Sequence, residues 1–178
     1  MGSVSKHKNL ICTLNAIAAC SSEAPRLVVV GGNVSEIKAV FASSISERVL
    51  LLGRVSDEEL KALYMHASAF LFPSITEGFG LPPLEAMHCG CPVVASMSGA
   101  MSEVCGDTVC YADPDKPEDW AASMEELASD PNMREKISAR ACHRAAKFTW
   151  RRAAMQLLQA IASAEDNSSM KAQLEALK

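Results

Sequence analysis

Short runs of consecutive apolar residues, separated by segments of helical period, leave few folds open to this chain. The runs are Leu27-Val28-Val29-Val30, Val49-Leu50-Leu51-Leu52, Ala69-Phe70-Leu71-Phe72 and Pro92-Val93-Val94-Ala95. A strand that is apolar on successive residues must be covered on both faces, the situation of a strand in a parallel sheet. The intervening segments supply the covering helices. Leu10, Leu14, Ile17 and Ala18 share one helical face, as do Leu60, Leu63, Tyr64 and Ala67, and Ser56 with Glu59 forms a capping box ahead of the second set. A weak helix is expected around 34–43 and a helix started by Pro82 or Pro83 that ends at Gly90. A short helix follows around 101–104, then a short strand at Val109-Cys110-Tyr111. Trp120, Met124 and Leu127 mark a further helix face, Met133, Ile137 and Ala141 another, and Trp150, Ala154, Leu157 and Ile161 the last. The pattern predicts an α/β fold: a Rossmann-like parallel sheet with helices on both faces, filling residues 1–163. Asp166-Asn167-Ser168-Ser169 interrupts the last helical pattern, so 164–178 is expected to be a tail with a short helix of its own.

Composition narrows function more than fold. With 178 residues, 49% of them apolar and 21% charged, the chain can bury a sizeable single core. Its formal charge of −4 argues against a nucleic-acid or anionic-membrane surface. No apolar run is long enough to span a bilayer, and Met1 to Lys8 lacks the apolar centre of a signal peptide. The seven cysteines are odd in number, form no C-x-x-C pair and do not group with the four histidines at zinc spacing. They read as reduced thiols of a cytoplasmic protein, with no metal site expected.

In a parallel α/β sheet ligands bind at the carboxyl ends of the strands. The loops there are Gly31-Gly32, Gly53-Arg54-Val55-Ser56, Pro73 to Gly80 and Ser96 to Met101, with no G-x-G-x-x-G fingerprint and no Walker A lysine among them. The informative stretch runs from Phe72 to Met87. Glu77 falls in the loop after the third strand, Glu85 about one turn inside the next helix, and Gly78 and Gly80 lie between them. Bare amides at a helix N-terminus suit phosphate. A carboxylate there would repel it, so the two glutamates should face something else, and vicinal sugar hydroxyls fit. The residues thus read as a phosphate-and-sugar site, hence one for a nucleotide sugar. The plainer alternative is a surface glutamate and a helix-start glutamate; Glu118 and Glu126 share the spacing and look like solvated positions.

Glu77 to Glu85, with Gly-Phe-Gly-Leu-Pro between them and Glu85-Ala86-Met87 at the end, resembles the E-x7-E region of glycosyltransferase family 4. The resemblance continues through Lys8-Asn9-Leu10, Gly53 to Leu60, Gly90 to Ser96, Glu103 to Gly106, Asp113-Pro114 and Phe148-Thr149-Trp150, and so covers residues 2 to 160. It implies the donor-binding, C-terminal half of a retaining enzyme of GT-B fold, which moves a hexose, with mannose the expected one, from a GDP-, UDP- or ADP-linked sugar to an unknown acceptor. No cofactor and no metal are implied beyond the donor itself.

The same resemblance implies individual roles. Lys8 would meet the donor diphosphate; on its own it reads as an exposed lysine at a helix start. Glu77 would hold hexose hydroxyls, the amides of Gly78, Phe79, Gly80 and Leu81 would touch hexose and phosphate, and Glu85 would grip the ribose diol. Gly31, Arg54 and Val55 would border the base, and Phe79 could equally be a packing residue. Two departures stand out. Many members carry an arginine ahead of the lysine, where this chain has Ser3 and His7. The N-terminal half and the strand that would precede Gly2-Ser3 are also missing, which should leave the neighbouring strands of the sheet unpaired. Two other readings remain: a truncated nucleotide-sugar-binding or interaction module without turnover, and a GT-B sugar-nucleotide epimerase.

Overall fold

The computed structural model describes residues 5–21, 23, 25–40, 47–97 and 99–176, with side chains through 164. They fall into two units, Met1–Ala145 and Ala146–Lys178. The sequence placed that division after residue 163. It falls earlier because the polypeptide turns at 146–147 before a single long helix begins.

In the first unit a 3-10 turn over Lys6–Lys8 leads through Asn9, held at φ +49°, into α1 (Leu10–Ala19). Then come β1 (Leu27–Val30), α2 (Val34–Lys38), β2 (Val49–Gly53), α3 (Asp57–His66), β3 (Phe70–Phe72), α4 (Leu81–His88) and β4 (Val93–Ala95). The unit closes with α5 (Met101–Cys105), β5 (Cys110–Tyr111), α6 (Pro117–Ser129) and α7 (Pro131–Ala145). All strand pairs are parallel, as the apolar runs require. The Ser56 hydroxyl accepts from the Glu59 N–H while the Glu59 carboxylate accepts from the Ser56 N–H, closing the capping box that starts α3. The helix expected over 34–43 is shorter, ending at Lys38; residues 41–46 lie outside the described residues.

The sheet is in two pieces. β1 pairs with β2, and β3-β4-β5 form a second ladder, so among the described residues β1 and β3 each lack a neighbour on one edge. One apolar core nevertheless underlies both pieces. Val29 and Val49 from the first ladder and Val94 from the second bury against Leu10, Leu14 and Ile17 of α1 and Trp120 and Leu127 of α6, with Leu71 packed beside them. Side chains alternate across a strand, so Phe70 and Phe72 lie on the opposite face from Leu71. There Tyr64 of α3 meets the Phe70 ring edge-on at 5.2 Å. Helices α1 and α3 therefore cover opposite faces.

Two expected faces are open. Val28, Leu50 and Leu52 share the second face of the β1-β2 ladder and remain 40, 46 and 39% exposed. The consecutive apolar run anticipated a cover for them that the described residues do not supply. Ala18 of α1 also points to solvent, because the buried stripe of that helix runs through Cys12, Thr13 and Ala16 instead.

In the second unit α8 runs from Trp150 to Ala176 without interruption. Asp166 to Ser169 do not break it: none is glycine or proline, and their cost of a few tenths of a kcal/mol each is small in a helix this long. Its apolar stripe is exposed, with Trp150 83% accessible.

The core has a clear weak point. Trp120 is fully buried and its indole N–H donates to the Asp113 carbonyl at 2.8 Å. Trp120→Ala is expected to cost about 3–5 kcal/mol, read as a lowered urea midpoint by circular dichroism with an unchanged slope.

Candidate functional site

The site is built where β3 ends. Pro73 stops the strand, and the chain turns through Ser74 and Ile75 beside the 3-10 segment that leads into α1. The His7 carbonyl accepts from the Ile75 N–H at 2.8 Å and from the Ser74 hydroxyl at 3.0 Å. Those contacts bring Lys8 over the loop. Its ammonium lies 2.5 Å from Oε1 of Glu77 and 5.9 Å from the centre of the Phe72 ring. The Ser74 hydroxyl also lies 2.7 Å from the same carboxylate oxygen, so its single proton is shared between Glu77 and the His7 carbonyl. Ser74 is buried, and its carbonyl accepts from the hydroxyl of fully buried Ser96 at the end of β4. Lys8 and Glu77 thus stand on a polar floor fixed by two strand ends.

Burial works to raise the Glu77 pKa. Hydrogen bonds from Lys8 and Ser74, with the charges of Lys8 and His7, outweigh it and leave the carboxyl below its ordinary value. Glu77 is therefore ionised at neutral pH, an acceptor with one oxygen already engaged twice.

Helix α4 begins at Leu81, capped only by the backbone of Gly80 at φ +92°. A side chain at Gly80 would be strained there, and its Cβ would fall 2.0 Å from Cε of Met101. Prolines at 82 and 83 have no N–H, so this first turn offers fewer donors than an ordinary helix end. The amides left to meet an anion are those of the loop, Gly78 to Leu81. A Cβ at Gly78 would meet nothing within 4 Å, so a ligand can approach its backbone closely. Phe79 is 45% exposed and is no core residue.

The remaining predicted positions are spread out. Gly31 holds φ +83° and its N–H donates to the Gly53 carbonyl at 2.5 Å, which ties the ends of β1 and β2 together. Arg54 and Val55 line the same cavity as Lys8. Glu85 is exposed on α4 and makes no contact with the Lys8–Glu77 pair. Its neighbour is Tyr64, whose buried hydroxyl faces the Glu85 carboxylate. Burial first, then the Glu85 charge, pushes that phenol well above its ordinary value. Ser3 lies outside the described residues. Among the described residues no three His, Cys, Asp or Glu side chains group to hold a metal ion.

Sequence reasoning placed Ser74, Ser96 and Gly99 in loops at the strand ends but gave them no role. The first has a signal, a serine three residues before a carboxylate just after a strand. For Ser96 and Gly99 the only signal is their place in the loop after β4, which meets the loop after β3 through the pairing of the two strands.

The family described as Glycosyl transferases group 1 matches residues 1–144. The chain belongs to that family. It is 42% identical over 109 residues to O-antigen chain mannosyltransferase B of Escherichia coli, covering 61% of this chain and 29% of that one. It is 30% identical over 161 residues to D-inositol 3-phosphate glycosyltransferase of Rhodococcus opacus, covering 85% of this chain and 36% of that one. The chain thus spans about a third of the length of these relatives. Its fold is that of the C-terminal domain of GT-B glycosyltransferases. The C-terminal domain of a group 1 family glycosyl transferase from Francisella tularensis matches at TM-score 0.69 and 23% identity, over 83% of this chain and 82% of that one. Anabaena Alr3699/HepE, solved with UDP-glucose, matches at TM-score 0.79 and 21% identity, over 92% of this chain and 47% of that one.

The lowered Glu77 pKa carries a pH signature. A carboxyl depressed in the folded state contributes stability that is present above its unfolded value, 4.5, and lost as pH falls through the lower folded value. Glu77→Gln should flatten the fall in stability below that pH, and Ser74→Ala should raise the Glu77 titration midpoint seen by carboxyl-carbon NMR. An unmoved midpoint in Ser74→Ala would show that the serine does not hold the carboxylate.

Proposed function

We propose that this chain is the donor-binding half of a retaining glycosyltransferase that moves a hexose from a nucleotide sugar without a metal ion. The observation that carries the reading is the Lys8–Glu77 pair held beside a loop of unencumbered amides at the carboxyl end of β3. A lysine there can neutralise a diphosphate, and charge grows on that group as the glycosidic bond breaks. Glu77 then holds hexose hydroxyls, Gly78 to Leu81 supply amides to hexose and phosphate, and Glu85 accepts from the ribose diol. Gly31 and the Arg54-Val55 turn border the base. Mannose as the hexose is supported by the relative named as a mannosyltransferase. The UDP-glucose complex of the Anabaena protein supports a nucleotide sugar as the ligand class. A second domain, closing over this one, supplies the acceptor wall and excludes water. A cytoplasmic setting agrees with seven free cysteines. Among the described residues no helix is long and apolar enough to cross a membrane.

The ion pair adds something to the donor scheme. Without donor, Glu77 occupies the ammonium that a phosphate needs. Donor binding exchanges one anion for another on Lys8 and frees the Glu77 oxygen for a sugar hydroxyl, so the two partners of the pair part when the two ends of the donor arrive.

Calorimetry with UDP, GDP and ADP, with and without EDTA, tests the reading. One nucleotide should bind, with affinity unaltered by EDTA. Glu77→Gln should tighten the bare nucleoside diphosphate by up to about 1 kcal/mol, since a half-exposed ion pair no longer competes for Lys8, and should weaken the sugar conjugate. Glu85→Gln should weaken both by about 1–3 kcal/mol, and Glu118→Gln neither. Loss of binding in EDTA would overturn the metal-free claim, and equal effects of both site variants on the bare nucleotide would overturn the division of roles.

A further inference from the structure

Tyr64 has no role in the sugar-donor scheme above, yet its surroundings aim it at one member of that scheme. It lies in the last turn of α3 and is only 5% exposed. The Phe70 ring of β3 meets it edge-on, the two ring planes at 85°. The end of α3 is tied to the turn that follows α4: the Cys91 thiol lies 4.0 Å from the Ala67 carbonyl, and the Phe70 N–H donates to the Pro92 carbonyl at 2.8 Å. Helices α3 and α4 pack against each other there. A ring clamped in this way cannot turn its hydroxyl out to water, and the hydroxyl is buried facing the Glu85 carboxylate. On α4 the neighbours of Glu85, namely Pro83, Leu84, Ala86 and Met87, are all buried, while Glu85 itself is exposed. One edge of that carboxylate thus meets the phenol and the rest is open to a ligand.

From this geometry we infer that Tyr64 is a positioning residue for the sugar donor: its hydroxyl donates to the Glu85 carboxylate and holds it in the rotamer that meets the ribose diol. This inference rests on the ribose role proposed for Glu85. A glutamate on an exposed helix position samples several rotamers, and ordering it on binding lowers affinity. A phenol fixed by packing orders it beforehand. A carboxylate has about four lone-pair sites, so one taken by Tyr64 leaves enough for the two hydroxyls of a diol. A phenol also suits the task better than a cation would. It makes a charge-assisted hydrogen bond but does not neutralise Glu85, which keeps its full charge as an acceptor. The contact is remote from Lys8 and Glu77, so its effect is confined to the ribose end of the ligand.

The test uses the full chain and calorimetry with UDP, GDP and ADP, each beside its 2′-deoxy counterpart. The nucleotide that binds should prefer its ribose form, and Glu85→Gln should remove that preference. Tyr64→Phe keeps the ring and should weaken the ribose form by about three- to tenfold while leaving the deoxy form within about twofold. In the Glu85→Gln background the same change should add less than about twofold. A tyrosine that only supports the fold would weaken both forms alike, so equal loss for the two forms, or no loss, overturns the inference while leaving the role of Glu85 intact. No ribose preference in the unaltered chain overturns the role of Glu85 and this inference with it. A second arm needs no change at Tyr64. The chain has two tyrosines, so 3-fluorotyrosine labelling gives two fluorine resonances, and Tyr111→Phe identifies that of Tyr64. It should move in Glu85→Gln and stay in place in Glu118→Gln; a resonance unmoved by Glu85→Gln overturns the contact.

Discussion

The His7 carbonyl is the junction on which this molecule depends. It precedes α1, the helix that underlies both half-sheets, and it accepts two hydrogen bonds from the turn that follows β3. Ladder bonds do not cross the gap among the described residues. Lateral cohesion therefore falls to the shared core beneath and to this small polar contact at one end. The same contact places Lys8 above Glu77, so the tie between the two half-sheets and the geometry of the candidate site are one feature.

That double role explains why the polar groups beneath the pair are buried hydroxyls. Ser74 and Ser96 are almost without exposure, yet each has a defined acceptor. A buried hydroxyl without one would cost more than its bond contributes. Here each strand end donates to the next, from β4 to the loop after β3 and from there to the entry of α1 and to Glu77. Charge rests on this floor at the surface, where Lys8 and Glu77 are 31 and 18% exposed and accessible to an incoming anion.

Much of this was legible in the sequence, for physical reasons. Consecutive apolar runs mark buried parallel strands because burial on both faces is a local requirement on side chains. The capping box at Ser56 is legible because its partners are three residues apart. The buried stripe of α6 follows from helical period alone. What escaped depends on neighbours distant in sequence. Periodicity states that Trp150, Leu157 and Ile161 share a face but not that anything covers it, and the described structure leaves it open. Nor could spacing separate the two glutamates. Glu77 is drawn into an ion pair by residues 69 positions away, while Glu85 stands apart beside Tyr64. The double proline marks a helix start in the sequence, and its second effect, the removal of two anion donors from that helix, comes from the same missing hydrogens.

Gly99 carries no side chain, yet it sits behind the loop that holds Glu77. It holds φ +51°, and a Cβ there would lie 2.7 Å from the Glu77 carbonyl oxygen. Backbone cannot swing aside as a flexible side chain can, so any larger residue at 99 would shift the peptide that carries Glu77. The loop after β4 thus acts as a backstop for the loop after β3. Substrate preference in a chain built this way can be altered from behind, by a residue that never meets the substrate, and a search for specificity confined to the lining of the cleft would pass over it.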